Sequence, residues 1–226
     1  DFKVQLTNFN YLEILTHIGH SEKVFIMKRL LLILILTFSF HPWTKADDIR
    51  DFQIEGMSVG DSLLDYMSAK KIKEEFEVTK DHYKYLKKPH KFREAYIISD
   101  NNFETYSSVS FYVKPNDKNY IIFGIRGLKT FLNSMDMCLK KREEIVKEIE
   151  NIILKSTKEE NNFNSTLDKS GQSPRSNWVF TLPSGDSILI SCNDWEEKLR
   201  KKNNWTEGLS VLIQKKEVRE WFFNRK

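Results

Sequence analysis

The sequence predicts an α+β fold, an antiparallel sheet of about six strands with one long amphipathic helix packed on a face and short helices at both ends of the domain. Three observations lead there. Residues 91–131 hold three segments rich in β-branched and aromatic side chains, separated by Asn and Asp clusters. Residues 134–155 carry apolar side chains at helical spacing. Residues 177–214 return to short apolar runs around the turn Pro183-Ser184-Gly185.

Taken in order, residues 58–68 read as a short helix, with Ser58 as N-cap and Asp61 completing a capping box. Lys70 to Phe76 extend the helical pattern by a turn or two. The runs 91–100, 104–115 and 118–131 follow as an antiparallel meander. Its turns fall at 100–102 and 116–119, and Gly124 and Gly127 mark a bulge or bend. In 134–155, Met135, Cys138, Leu139, Ile145, Val146, Ile149, Ile152 and Ile153 form one stripe opposite a charged face, with Ser134 as N-cap. Residues 156–176 are polar and aperiodic, so they read as a long exposed loop. Strands at 177–182, 186–192 and 208–214 come next. A terminal helix at 215–224 is expected to bury Val218, Trp221 and Phe222.

At 226 residues the chain suits one domain with an appendage. Lys28 and Arg29, the apolar run Leu30 to Phe40, then Pro42, Thr44 and Ala46 have the layout of a secretory signal peptide over 27–46. The run is about half of the ~20 residues a bilayer span requires. The chain begins at Asp1 without a methionine, so Met27 is the expected start, residues 1–26 the product of upstream translation, and 47–226 a single exported domain. The expected mature chain, 47–226, holds 31 basic against 29 acidic side chains, a balance that argues against nucleic acid as a partner. Export makes a Cys138–Cys192 disulfide the expected state of the two cysteines. Closing 54 residues stabilises by about 4 kcal/mol in the chain-entropy model.

Gly60-Asp61-Ser62-Leu63 spells the signature of the GDSL esterases and lipases, which would make Ser62 a nucleophile. Such a serine needs a histidine to take its proton, and the family carries an Asp-x-x-His block near its C-terminus. Here no histidine follows His90, and His17, His20 and His41 precede the expected mature chain. The opening "IEGMSVGDSLLDYMS" (54–68) resembles that of the BamE/SmpA small outer-membrane lipoproteins, although no lipid-bearing Cys precedes it. With its "GMS-GDSLL" opening and a Cys starting a helix, the mature chain also resembles uncharacterised exported proteins of AT-rich marine bacteria. Those resemblances imply an envelope location and no activity.

Among other candidates, "KDHYKYLKKPHKFR" (80–93) interleaves Lys84, Lys87, Lys88, Lys91 and Arg93 with aromatic rings, a pattern that could grip an anionic membrane surface. Its bland alternative is a solvated basic face whose aromatics join the core. Asp81, His82 and His90 lack metal-ligand spacing, and no cofactor motif is present. Trp195 and Trp205 could line a carbohydrate or peptide groove, or serve as core. With no complete catalytic set, the expectation is a non-catalytic domain, secreted or periplasmic, that binds an envelope component such as a partner protein.

Overall fold

The structure is a computed structural model in which residues 46–98, 103–203 and 205–225 are described. The expected signal segment before Ala46, the upstream residues and the expected turn at 100–102 lie outside them. In chain order the elements are β1 (Gln53–Ile54), β2 (Met57–Ser58), α1 (Ala69–Val78), β3 (Arg93–Ile98), β4 (Ser108–Val113) and β5 (Ile122–Thr130). Next come α2 (Met135–Ile152), β6 (Thr157–Asn164), β7 (Pro174–Thr181), β8 (Ser187–Asn193), α3 (Glu197–Asn203), β9 (Gly208–Gln214) and α4 (Lys216–Phe223).

One antiparallel sheet runs β3-β4-β5-β9-β8-β7-β6, and β1-β2 form a small ribbon. The strands at either end belong to two meanders, 93–130 and 157–193, and β9 returns last to join them down the middle. A period of two along each strand divides the sheet into two faces. The near face carries Val109, Phe111, Ile125, Ile188, Ile190, Cys192, Val211 and Ile213, all buried in the main core. Against it lie α2, through Cys138, Val146 and Ile149, and the N-terminal segment with Ile49, Ile54, Met57, Leu63 and Ile72. Cys138 and Cys192 form a disulfide with Cα atoms 5.9 Å apart, tying α2 to β8. On the far face a second cluster of Leu86, Phe92, Tyr112, Leu212, Val218 and Trp221 seats α4.

Helical and strand content is thus mixed, but the expected architecture needs correction. The main sheet has seven strands rather than about six, and a two-stranded ribbon is added to it. In place of one long helix there are four helices of 10, 18, 7 and 8 residues, none of them long. The missed strand, β6, lies in the supposed loop 156–176. Every residue of it is exposed, so it has no apolar alternation to betray it, and it is held by its ladder to β7. The supposed helix at 58–68 is instead the end of β2 followed by a 3-10 turn at Leu63–Asp65, capped by Ser62. Asp61 still accepts a hydrogen bond from the Ser58 N–H at 2.8 Å, so half of the expected box exists without its helix. Ser134 does precede α2, but its side chain makes no capping bond. Ile152 is exposed rather than buried, and Phe222 is only half-buried.

Glycine solves one close approach in the meander. A Cβ on Gly127 would lie 2.6–2.8 Å from the Tyr106 ring, which packs across β5 at that point. The bulge expected nearby falls between Tyr112 and Val113, opposite Gly124 and Ile122.

Candidate functional site

Register alone sets the residues of the far face. The pairings align Tyr96, Ser110, Arg126, Leu212, Leu189 and Val179 in one row across six strands. The next row holds Ser108, Leu128, Ser210, Ser191 and Asn177, and beyond it stand Asn193 and Arg175. A line of side chains that is polar except at Leu128, the trough of this face, therefore runs between those two rows.

At the β3 end of this face sits a buried ionic network. Glu94 is buried, and its carboxylate accepts from Arg126 Nη2 at 2.6 Å, Tyr83 OH at 2.8 Å, Tyr112 OH at 3.0 Å and His82 Nδ1 at 3.1 Å. Arg126 Nε also donates to Ser110 Oγ at 3.2 Å. Burial by itself pushes the Glu94 carboxyl up, but the Arg126 guanidinium and the bonds from His82 and Tyr83 outweigh it and hold the pKa at about 2. Burial and the Glu94 charge push the Tyr83 phenol well above its ordinary value. In Tyr112, burial again drives the rise, assisted by Glu94 and opposed by Arg126. Both Glu94 oxygens are bonded, to Arg126 and Tyr112 on one side and to His82 and Tyr83 on the other, which holds this end of the face in one arrangement.

Across the trough the situation reverses. Asn177, Ser191 and Asn193 are each more than nine-tenths buried, yet Asn177 Oδ1, Ser191 Oγ and Asn193 Oδ1 have no hydrogen-bond partner. Arg175 Nε is likewise unpartnered, and Arg175 joins no ion pair among the described residues. Its guanidinium carbon lies 5.8 Å from the centroids of both the Phe163 and Trp195 rings. Burial, then the like charges of Arg126 and Arg225, lower its pKa to about 10. Trp195 and Trp205 pack together with centroids 4.4 Å apart, and Trp195 Nε1 donates to the Thr206 carbonyl.

The residues singled out in the sequence are distributed elsewhere. Ser62 Oγ donates to the Asn119 carbonyl at 2.7 Å and accepts from Leu64 N–H at 3.2 Å. Its hydrogen bonds include no histidine, and the nearest thing to a base-acid pair, His82 with Glu94, belongs to the buried network. In the basic segment, Lys84 pairs with Asp81 at 2.9 Å and Lys91 with Glu217 at 3.8 Å. Lys87 and Lys88 are exposed and Arg93 half-buried. Phe92 and Tyr83 belong to the far-face cluster, whereas Tyr85 is exposed. No group of three metal-ligating side chains occurs among the described residues.

Sequence reasoning passed over Glu94, Arg126, Arg175, Asn177 and Asn193. One signal was present. Glu94 and Arg126 are charged residues inside otherwise apolar strands, where an unpaired charge is costly, and opposite charges in that setting imply a pair. The chain matches no protein-family model, and it has no significant match among curated proteins or solved structures.

Proposed function

We propose that the chain is an exported, non-catalytic binding domain that takes its ligand on the far face of the seven-stranded sheet. One observation carries this reading: polar atoms of Asn177, Ser191 and Asn193 are buried in that face and left without partners. Buried polar groups in folded proteins are nearly always satisfied, and each one left bare costs about 1–3 kcal/mol. A ligand that displaced what covers these atoms and supplied the missing bonds would recover that cost as affinity. The adjoining Glu94 network supports the reading, because satisfied buried networks hold their surroundings in one arrangement and so favour preorganised binding.

Export is supported by the signal-like segment at 27–46 and by the disulfide, since such bonds persist in oxidising compartments. A binding role is favoured over hydrolysis because Ser62 spends its hydroxyl on capping and on the Asn119 carbonyl. An adhesive membrane surface at 80–93 draws less support, since Lys84 and Lys91 are already paired with carboxylates.

The test is a thermal-shift screen of saccharides, peptides and lipid headgroups against the oxidised chain and against Ser191→Leu, which puts an apolar side chain in the buried polar line. Ligands that stabilise the parent and not the filled variant support the reading. Stabilisation that is the same in both would move binding off this face. For location, native material should fractionate outside the cytoplasm with no free thiol by mass spectrometry. Recovery of reduced protein from the cytosol would defeat that part.

A further inference from the structure

We infer that the outer side of α4, together with residues 85–88, docks the chain on an anionic phospholipid membrane, with Phe223 entering the interface among lysines and arginines that meet the headgroups. The helix divides its own side chains. Val218 and Trp221 are buried against the sheet with Phe222 half-buried beside them, whereas Lys216, Glu220 and Phe223 are exposed. Phe223, at 74% exposure, is the most exposed large apolar side chain among the described residues. Backbone bonds bring the second segment alongside. The Lys87 N–H donates to the Asn224 carbonyl at 2.9 Å, Leu86 bridges Arg225, and the Trp221 indole donates to the Lys88 carbonyl at 2.7 Å. Tyr85 is exposed there too, with the Arg225 guanidinium 5.9 Å from its ring centroid.

Charge selects the partner. Lys87, Lys88, Lys216 and Arg225 are exposed and Arg219 is half-buried, five cations against the Glu220 carboxylate, which lies 3.8 Å from Lys216. Lys87, Lys88, Arg219 and Arg225 join no ion pair among the described residues. Residues 80–93 alone make a weak basic surface, because Lys84 and Lys91 are paired with carboxylates, and α4 supplies what they lack. Lys216, Arg219 and Glu220 border an open depression of about 550 Å³ with Gly185, Phe223 and Asn224, so headgroups can reach the cations. Basic side chains near an anionic bilayer attract it without fixed pairing, and lysines on flexible stems suit a fluid headgroup layer. One inserted ring beside a basic patch gives reversible docking rather than permanent anchorage. This surface is separate from the buried polar line, so neither reading depends on the other.

The experiment is co-sedimentation of the oxidised full chain with vesicles of phosphatidylcholine alone, and of phosphatidylcholine and phosphatidylglycerol in about equal parts. Neutral vesicles measure what the apolar run 30–40 contributes, so the readout is the preference for anionic over neutral vesicles. That preference should shrink about 10- to 30-fold when Lys87→Ser and Lys88→Ser are combined, and about 10-fold in Phe223→Ser. It should hold in Lys140→Ser with Lys147→Ser, an equal loss of charge on the exposed side of α2. Phe223→Trp reads the contact itself: the fluorescence it adds to that of the parent should be quenched by brominated acyl chains in anionic vesicles. Circular dichroism and an intact disulfide establish that each variant is folded. Equal binding to both kinds of vesicle, an equal loss in the α2 control, or added fluorescence that stays unquenched would overturn the membrane assignment. Polyglutamate held by the parent but not by the Lys87 and Lys88 variant, without any vesicle preference, would give the surface to an acidic protein partner and overturn it as well.

Discussion

Protonation of Glu94 is decided by a contest between burial, which favours the neutral acid, and Arg126 with its hydrogen-bonding neighbours, which favour the carboxylate. The second side wins, with a pKa of about 2 against an ordinary 4.5. A carboxyl depressed in the folded state adds stability that is present above its unfolded pKa and lost as pH falls through its folded one. Urea midpoints should therefore decline between pH 4.5 and 2 by the equivalent of about 3 kcal/mol. Glu94→Gln should flatten that decline and, by leaving Arg126 buried without its counter-charge, cost about 3–5 kcal/mol at neutral pH. A midpoint in the variant equal to the parent at pH 7 would show that the pair contributes nothing. Gly208 offers a second check at this scale. It adopts φ +125°, and a Cβ there would sit 2.5 Å from the Lys129 carbonyl oxygen. Gly208→Ala should cost about 1–3 kcal/mol in equilibrium unfolding, and an unchanged midpoint would contradict the strain argument.

Among the elements, α2 and β6 depend on each other through Arg142. This buried arginine bonds Ser176 on β7 and pairs with Glu160 on β6 at 2.9 Å and with Glu143 at 2.6 Å. Lys158 pairs with Glu150, and its ammonium stands 3.8 Å from the Trp178 ring centroid. A strand of polar residues is thus fastened by ladder bonds and charge pairs instead of by apolar burial. That same polarity suits an edge, where a bare row of backbone groups invites pairing with another chain. Replacing Glu159 and Asn161 by Val should lower the temperature at which light scattering rises, and scattering identical to the parent would remove the edge-protection account. The disulfide fastens the other side of α2. Substituting both Cys138 and Cys192 by Ala should cost about 2–5 kcal/mol, and adding reductant to the parent should reproduce the loss. A parent indifferent to reductant would show the bond to be dispensable.

For the molecule as a whole, the two faces of one sheet serve different ends. The near face is covered by α2 and the N-terminal ribbon around the main core, which the disulfide holds shut. The far face is apolar where α4 seats, through Val218 and Trp221, and turns polar along Ser210, Ser191 and Asn177. This division was partly legible in advance. The terminal helix and its burial of Val218 and Trp221 follow from a short apolar period that needs no knowledge of its neighbours. The trough does not, because Asn177, Ser191 and Asn193 are unremarkable polar residues until the order β5-β9-β8-β7 lays them side by side.

By itself the sequence determined the local features: the apolar strand segments, the helical stripe after Ser134, and the identity of the disulfide, since two cysteines allow one pairing. These are short-range or combinatorial properties, set by side-chain period and by count. Only the tertiary structure decided that 157–164 is a strand, that Glu94 meets Arg126 across β4, and which polar atoms are left bare on the far face. Each of those depends on strand order and register, which arise from hydrogen bonds between segments far apart in the chain and leave no periodic mark within any one of them.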